Sequence, residues 1–340
     1  MGVVLIGKEQ TRRTEYFLKA SEELHIPVRF VDWDVAGKAE LEGDVVKLDP
    51  PVYEASDLFE MNGQIEAFQK ELGSVRDAGC RFLNPPDGIE AVLNKRSCKE
   101  ILQKKGVPVT KMFTETIENV EQLHEVMDKH RTFSVFIKPV FCSGAAGVAA
   151  YRRVPGKKKA TLYTSCCLRG EELVNTKTLY KLEDVSEIRS LLNAVLSLGA
   201  VVERWHPKAS YQGKSFDLRA VWQFGRVEFI VARQSKGPVT NLHLNNSPLE
   251  FEKLGLSGRT LEEIQEVCRK GMACFPELQM AGIDVLLEKD TMRPCIIEIN
   301  GQGDLMYQDI FHENRIYKRQ IEVMSRMGQE WGSYGTDRYE

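Results

Sequence analysis

No apolar run in this sequence approaches the roughly 18 residues that a membrane-spanning helix needs, so no membrane partner is expected. Charge of one sign is also missing. The 46 Lys and Arg nearly balance the 49 Asp and Glu, leaving a net charge of −3 and no composition suited to general nucleic-acid binding. An anionic ligand would have to be met by local positive charge. The eight cysteines, at 80, 98, 142, 166, 167, 268, 274 and 295, never take the C-x-x-C spacing of zinc or dithiol redox sites. Reduced thiols and a cytoplasmic location are the expectation, since "MGVVLIGKEQ" has no basic stretch ahead of its short apolar run. The adjacent Cys166 and Cys167 are read as strand neighbours facing opposite sides. Internal repeats and low-complexity linkers are absent, "GKKK" at 156–159 reads as a solvated turn, and no Ser or Cys nucleophile stands in a recognisable triad.

What is present suffices for two or three compact lobes in 340 residues. The order strand "VVLIG", helix "TEYFLKASEELH", strand "VRFVDW" suggests a βαβ unit and an open parallel sheet over residues 1–87. Within it, "SDLFEMNGQIEAFQKELG" reads as a helix ended by Gly73, and Asp49 before two prolines reads as a rigid turn. Residues 88–198 form a second unit. There "GIEAVLNKRSCKEILQKKGVPV" predicts one helix carrying Lys95, "NVEQLHEVMDKH" a second, and "FSVFIKPVFCSGAAGVAAYRRV" strand, glycine turn, strand. Residues 199–340 form a third, with strands at "GAVVERWH", "DLRAVWQFG", "RVEFIVARQ", "IDVLLE" and "CIIEIN" around the helix "TLEEIQEVCRKGMACFPEL". Gly225 marks a hairpin turn, and a last helical pattern at 307–327 is expected outside the sheet. The fold class is α/β with α+β lobes.

Two constellations carry chemistry. Lys138 in "VFIKPV" interrupts a buried-looking strand with a cation, which either meets an anion or snorkels to solvent. "CSGAAGV" follows, where Gly144 and Gly147 either let backbone N–H groups approach an anion or merely close a tight hairpin. In the second, Asp284, Glu298 and Asn300 lie on two short apolar strands whose hairpin would gather them on one face, Glu298 and Asn300 by period-two alternation. Such an oxygen set suits Mg²⁺, which commonly shares its coordination with nucleotide phosphates.

In their order these motifs resemble the ATP-grasp ligases, most closely the RimK-like glutamate ligases, over roughly residues 85–304. The resemblance implies an N-terminal α/β lobe followed by two α+β lobes clasping ATP. It implies that Lys95 and Lys138 hold the phosphates with the Gly144–Gly147 loop, and that Glu203, Arg204 and Trp205 in "VVERWH" form an adenine-contacting hinge through backbone groups. "SFDLRAVW" is similar to the family's DxR strand, placing Asp217 near the ribose and Arg219 near the phosphates or acyl group. "RQSKGPVTNLHLNN" resembles its arginine and TN loop, so Arg233 would neutralise the γ-phosphate with Asn241 beside it. Asp284, Glu298 and Asn300 correspond to the Mg²⁺ ligands, with Mn²⁺ as an alternative ion.

The implied activity is ATP-dependent joining of a carboxylate to an amine through an acylphosphate, with an amino acid, peptide or small metabolite as substrate. Two alternatives stay open: a kinase phosphorylating a small alcohol, and an ATP-binding module without catalysis. His206 and His243 are read as bystanders, and a homodimer is the expected assembly. The glycine loop lacks the family's serine run, and "NLHLNN" lacks its paired glycines.

Overall fold

The computed structural model describes residues 2–53, 55–303 and 314–336. Strands β1 (Val3–Gly7), β2 (Val28–Asp32), β3 (Val45–Leu48) and β4 (Arg81–Phe82) pair in parallel in the order β2-β1-β3-β4. Every residue of β1 is buried because helices cover both faces of this sheet. Val3 and Leu5 turn to α1 (Arg12–Leu24), whereas Val4 and Ile6 turn to α2 (Trp33–Ala36) and α3 (Leu58–Val75). Gly73 does not end α3. The helix continues to Val75 because Leu72 and Val75 still pack into that core.

The single helix expected around Lys95 is two, α4 (Pro86–Leu93) and α5 (Lys95–Lys104). Asn94 breaks it with an extended ψ of 102°, and its side chain accepts from the Ser97 N–H, capping α5. Lys95 is therefore the first residue of a new helix rather than the middle of an old one.

The second sheet is antiparallel, in the order β8 (Glu172–Leu182), β7 (Ala160–Arg169), β6 (Ala149–Arg153), β5 (Ser134–Pro139), β9 (Ala200–Arg204). Helices α6 (Val120–Lys129) and α7 (Val185–Ser197) cover one face. Three of these elements, β7, β8 and α7, lie in a stretch the sequence pattern left largely unassigned. Cys166 and Cys167 do sit on a strand, the first buried and the second partly exposed. The division placed after residue 198 falls one strand early, since β9 hydrogen-bonds to β5 and completes this second sheet.

The third sheet runs β13 (Ser247–Glu250), β12 (Arg226–Ser235), β11 (Lys214–Gln223), β14 (Met280–Leu287), β15 (Pro294–Asn300), all antiparallel, with β10 (Ser210–Tyr211) beside β11. Gly225, at φ 89°, makes the hairpin between β11 and β12. Helix α8 (Gly258–Met272) and α5 pack on one face of this sheet.

The last helix, α9 (Arg315–Thr336), packs with α1 on the first sheet, where Tyr317, Ile321 and Met324 join Val3, Leu5 and Phe17. The first residues of the expected terminal helix, 307–313, lie outside the described residues. Asn84 ties the first and third sheets by accepting from the Gln279 and Met280 N–H groups and donating to the Met280 carbonyl. Among the described residues no helix is long and apolar enough to cross a membrane.

Candidate active site

A cleft of about 230 Å³ is lined by residues from around all three sheets. Twelve of the fourteen expected site residues line it: Lys95, Lys138, Gly144, Glu203, Arg204, Asp217, Arg219, Arg233, Asn241, Asp284, Glu298 and Asn300. Gly147 and Trp205 do not. A Cβ on Gly147 would sit 2.8 Å from Pro139 and 2.9 Å from Leu58, so this glycine, at φ 67°, serves packing under the loop rather than approach to a ligand. The Trp205 ring packs on Phe136 at 5.3 Å with the Arg152 guanidinium 4.8 Å from it. Hinge backbone is also less available than expected. The Arg204 N–H donates to the Lys111 carbonyl and the Trp205 N–H to that of Ser134.

Alternation on β5 puts Val135 and Ile137 in the core and turns Phe136 and Lys138 to the cleft. The register pairs Phe136 with Glu203 and Lys138 with Val201, which brings Lys138 and Glu203 together diagonally. Lys138 Nζ lies 3.0 Å from one Glu203 oxygen, and Lys99 Nζ lies 2.9 Å from the other. Thr110 adds a hydroxyl donor at 2.7 Å. Burial alone would raise the Glu203 carboxyl, but Lys138, Lys99 and the Thr110 hydroxyl outweigh it and hold the group at about 2.

The two lysines respond differently to that shared acid. Burial opposes both, yet Glu203 with Glu298 and Asp284 leaves Lys138 raised, while Lys99 is lowered because desolvation, helped by the neighbouring Lys138 charge, prevails over Glu203.

On the third sheet, β11 and β14 set Arg219 opposite Asp284, and β11 and β12 set Asp217 opposite Arg233. Arg233 Nε donates to Asp217 at 2.8 Å, and its Nη2 lies 3.0 Å from Asp284 Oδ2. Arg219 Nε lies 2.7 Å from Asp284 Oδ1, a charge contact whose angle makes no hydrogen bond. Asp284 Oδ1 and Arg219 Nη1 are consequently buried without a hydrogen-bond partner among the described residues. Asp217 is less open than a ribose contact requires. Its second oxygen accepts from Thr240 and stands 3.5 Å from Lys208 Nζ, so it is saturated by its own chain. Those cations hold it far below the usual carboxylate range against the opposing effect of burial.

A bulge places Asp284 directly opposite Glu298, and Gly282 opposite Asn300. Glu298 and Asn300 face the cleft together, as alternation predicts. The bulged Ile297 turns its carbonyl to Lys99 at 2.7 Å, and Lys95 Nζ is 3.8 Å from Glu298. Asn300 donates its amide nitrogen to the Gly282 carbonyl at 3.3 Å, leaving the amide oxygen as an acceptor. Two carboxylates, one with an unsatisfied oxygen, and an amide carbonyl form a hard-ligand set that suits a divalent cation. Among the described residues no group of three or more His, Cys, Asp and Glu forms a metal cluster of another kind.

Sequence reading missed Lys99, Thr110, Lys208 and Thr240. Lys99 follows Lys95 by one helical turn in "NKRSCK" and Thr240 directly precedes Asn241, signals that were legible; Lys208 meets Asp217 nine residues on through the β10–β11 hairpin, and Thr110 reaches Glu203 only through long-range pairing. Asp49 does not line the cleft. It is buried at the end of β3 and paired with the buried Lys47. His206 accepts the Lys111 N–H at 3.2 Å, and the His243 ring lies 3.6 Å from where a Gly144 Cβ would stand, joining the glycine loop to the loop after β12.

No protein-family model matches this chain, and no curated protein matches its sequence. Solved structures match over nearly its whole length. Macrocyclase MdnC from Microcystis aeruginosa MRC, bound with precursor peptide MdnA, aligns with TM-score 0.60 at 15% identity, over 96% of this chain and 100% of that one. D-cycloserine synthetase DcsG aligns with TM-score 0.62 at 12% identity, over 95% and 100%. The ATP-grasp ligase PsnB, complexed with a minimal precursor, Mg and ADP, aligns with TM-score 0.57 at 13% identity, over 96% and 98%. The chain has the ATP-grasp fold.

Proposed function

We propose that this protein is an ATP-dependent carboxylate–amine ligase working through an acylphosphate, nearest in its motif order to the RimK-like branch. The observation that carries this reading is the register of the third sheet. It sets Asp284 against Glu298 on one side and against Arg219 on the other, in the cleft that also holds Lys95, Lys138 and Gly144. Acids for a divalent ion and cations for phosphates share one enclosed space, an arrangement that phosphoryl transfer uses and simple alcohol or peptide binding does not need.

In this reading a substrate carboxylate oxygen attacks the γ-phosphorus of ATP and displaces ADP. An amine nitrogen then attacks the acyl carbon, phosphate departs, and the nitrogen loses a proton to leave the amide. Lys95 and Lys138 hold phosphate oxygens, and Lys138 keeps its charge because Glu203 faces it from within. Arg219 and Arg233 offset the charge that builds on the transferred group. Asp217 acts through Arg233 and Lys208 as a positioning residue rather than as a ribose contact. Asp284, Glu298 and Asn300 would hold Mg²⁺, or Mn²⁺, which would supply charge neutralisation for the phosphates. Positioning and electrostatics do most of the work, so no nucleophilic side chain is required.

The carboxylate substrate belongs to a small acid or a peptide; MdnC, of similar fold, is bound with a precursor peptide. Purified protein screened with carboxylates, ATP, Mg²⁺ and hydroxylamine tests the reading. A ligase gives ADP and a hydroxamate together; ADP formation with a phosphorylated alcohol and no hydroxamate would select the kinase alternative instead.

A further inference from the structure

The bulged Ile297 decides which side chain of β15 stands beside Asp284. Val285 pairs with Ile296, so regular alternation would set Ile297 opposite Asp284 and Glu298 opposite Ile283, whose side chain belongs to the core. The extra residue moves Glu298 into the place opposite Asp284 and leaves Ile299 opposite Ile283. The set of oxygen ligands therefore depends on a local irregularity. The strand is clamped on either side of it. Ile296 donates to the Pro108 carbonyl at 2.8 Å and accepts from the Thr110 N–H at 3.1 Å, and beyond Asn300 the Gly301 carbonyl accepts from the Asn84 amide. Between these clamps the Ile297 carbonyl accepts from the Lys99 ammonium at 2.7 Å.

Lys99 lies on α5 one turn after Lys95, yet it does not line the cleft. Its side chain is 4% exposed and borders a separate space of about 10 Å³ behind the cleft wall, room for one water and not for a phosphate. Besides Ile297, it donates to the Thr110 hydroxyl at 2.6 Å and stands 2.9 Å from Glu203 Oε1. An ammonium has three donors, and three protein oxygens at 2.6–2.9 Å account for them. Lys99 is thus engaged by its own chain and is no third cation for the nucleotide.

We propose that Lys99 is a positioning residue for the divalent-cation site: it fixes the bulge at Ile297 and so presents Glu298 to the ion beside Asp284. The proposal rests on the metal site of the ligase reading. In this role Lys99 touches neither substrate nor ion. By sharing Glu203 with Lys138 it also ties the bulge to a lysine assigned to the phosphates, so both halves of the site are set from one buried point. Without the ammonium the Ile297 carbonyl loses this donor and turns towards another, and Glu298, joined to it through one peptide bond, moves as well.

Electron paramagnetic resonance of Mn²⁺ titrated into the full chain with ADP counts the bound ion, and ADP affinity measured in EDTA reports the cleft without it. Lys99→Met keeps most of the side-chain length and removes the donors. It should bind Mn²⁺ at least tenfold more weakly than wild type, a larger loss than any in metal-free ADP affinity. The double variant Glu203→Gln with Lys99→Met relieves the charge mismatch that either change alone leaves, yet still lacks the donor to Ile297. Its Mn²⁺ affinity should stay at least tenfold down, and it decides the matter alone if the single variant does not fold. A loss below tenfold in either folded variant, or one matched by the loss of ADP affinity in EDTA, would overturn this role for Lys99. Wild type holding no more Mn²⁺ than ADP does by itself would instead remove the metal site, and with it the ligase reading, so the wild-type titration tells the two failures apart.

Discussion

Replacing Glu203 with Gln leaves two buried lysines facing an uncharged amide. Lys99 and the Glu203 side chain are each 4% exposed, so water screens little of the change. A carboxyl held at about 2 instead of its ordinary value near 4.5 is stabilised as the anion by roughly 3 kcal/mol, taking 1.36 kcal/mol per pH unit. That figure agrees with the roughly 3–5 kcal/mol expected when one partner of a buried ion pair is removed. We expect Glu203→Gln to lose about 3 kcal/mol, read from the urea midpoint of far-ultraviolet circular dichroism at pH 7. Adding Lys99→Met should restore part of the loss, because Lys99 is the cation that burial already disfavours. A loss below about 1 kcal/mol for the single variant, or no recovery in the double, would refute the reasoning.

Acid titration follows from the same group. Its folded value is depressed, so its stabilisation is fully present above pH 4.5 and disappears as pH falls towards about 2; wild type should lose stability across that window more steeply than Glu203→Gln. Glu298→Gln should cut turnover by at least about 100-fold with the unfolding midpoint unchanged, because its side chain is 25% exposed and its ion pair with Lys95 is long at 3.8 Å. Gly282→Ala would push a methyl into the Arg219 guanidinium, whose Cζ stands only 3.2 Å from the new Cβ; kcat should fall about tenfold or more with little change in the KM for ATP. Unaltered kcat in that variant would show that Arg219 does not need its present place.

The apolar periodicity of this chain made the parallel first sheet legible, as well as the β11–β12 and β14–β15 hairpins. It also predicted that Glu298 and Asn300 share a face, because alternation fixes that once the strand is recognised. Three kinds of feature escaped it. Asn94 looked like an ordinary helical residue, although its capping bond to Ser97 ends one helix and begins the next. The bulge at Ile297 depends on two strands together and has no signature in either. Gly144 and Gly147 look alike in sequence and share a positive φ, yet only the packing of Leu58 and Pro139 beneath the loop tells the cleft glycine from the structural one. One partner of Glu203, Thr110, was hidden for a similar reason, since it reaches the acid across 93 residues of chain.

Oxygen transfer tests the central claim most directly. With a carboxylate and amine pair that supports turnover, the carboxylate labelled with ¹⁸O, and ATP with Mg²⁺, the account predicts one ¹⁸O in each inorganic phosphate released, because the attacking oxygen leaves with the phosphoryl group. Phosphate free of label, with the ¹⁸O that the carboxylate loses on amide formation recovered in water, would contradict it.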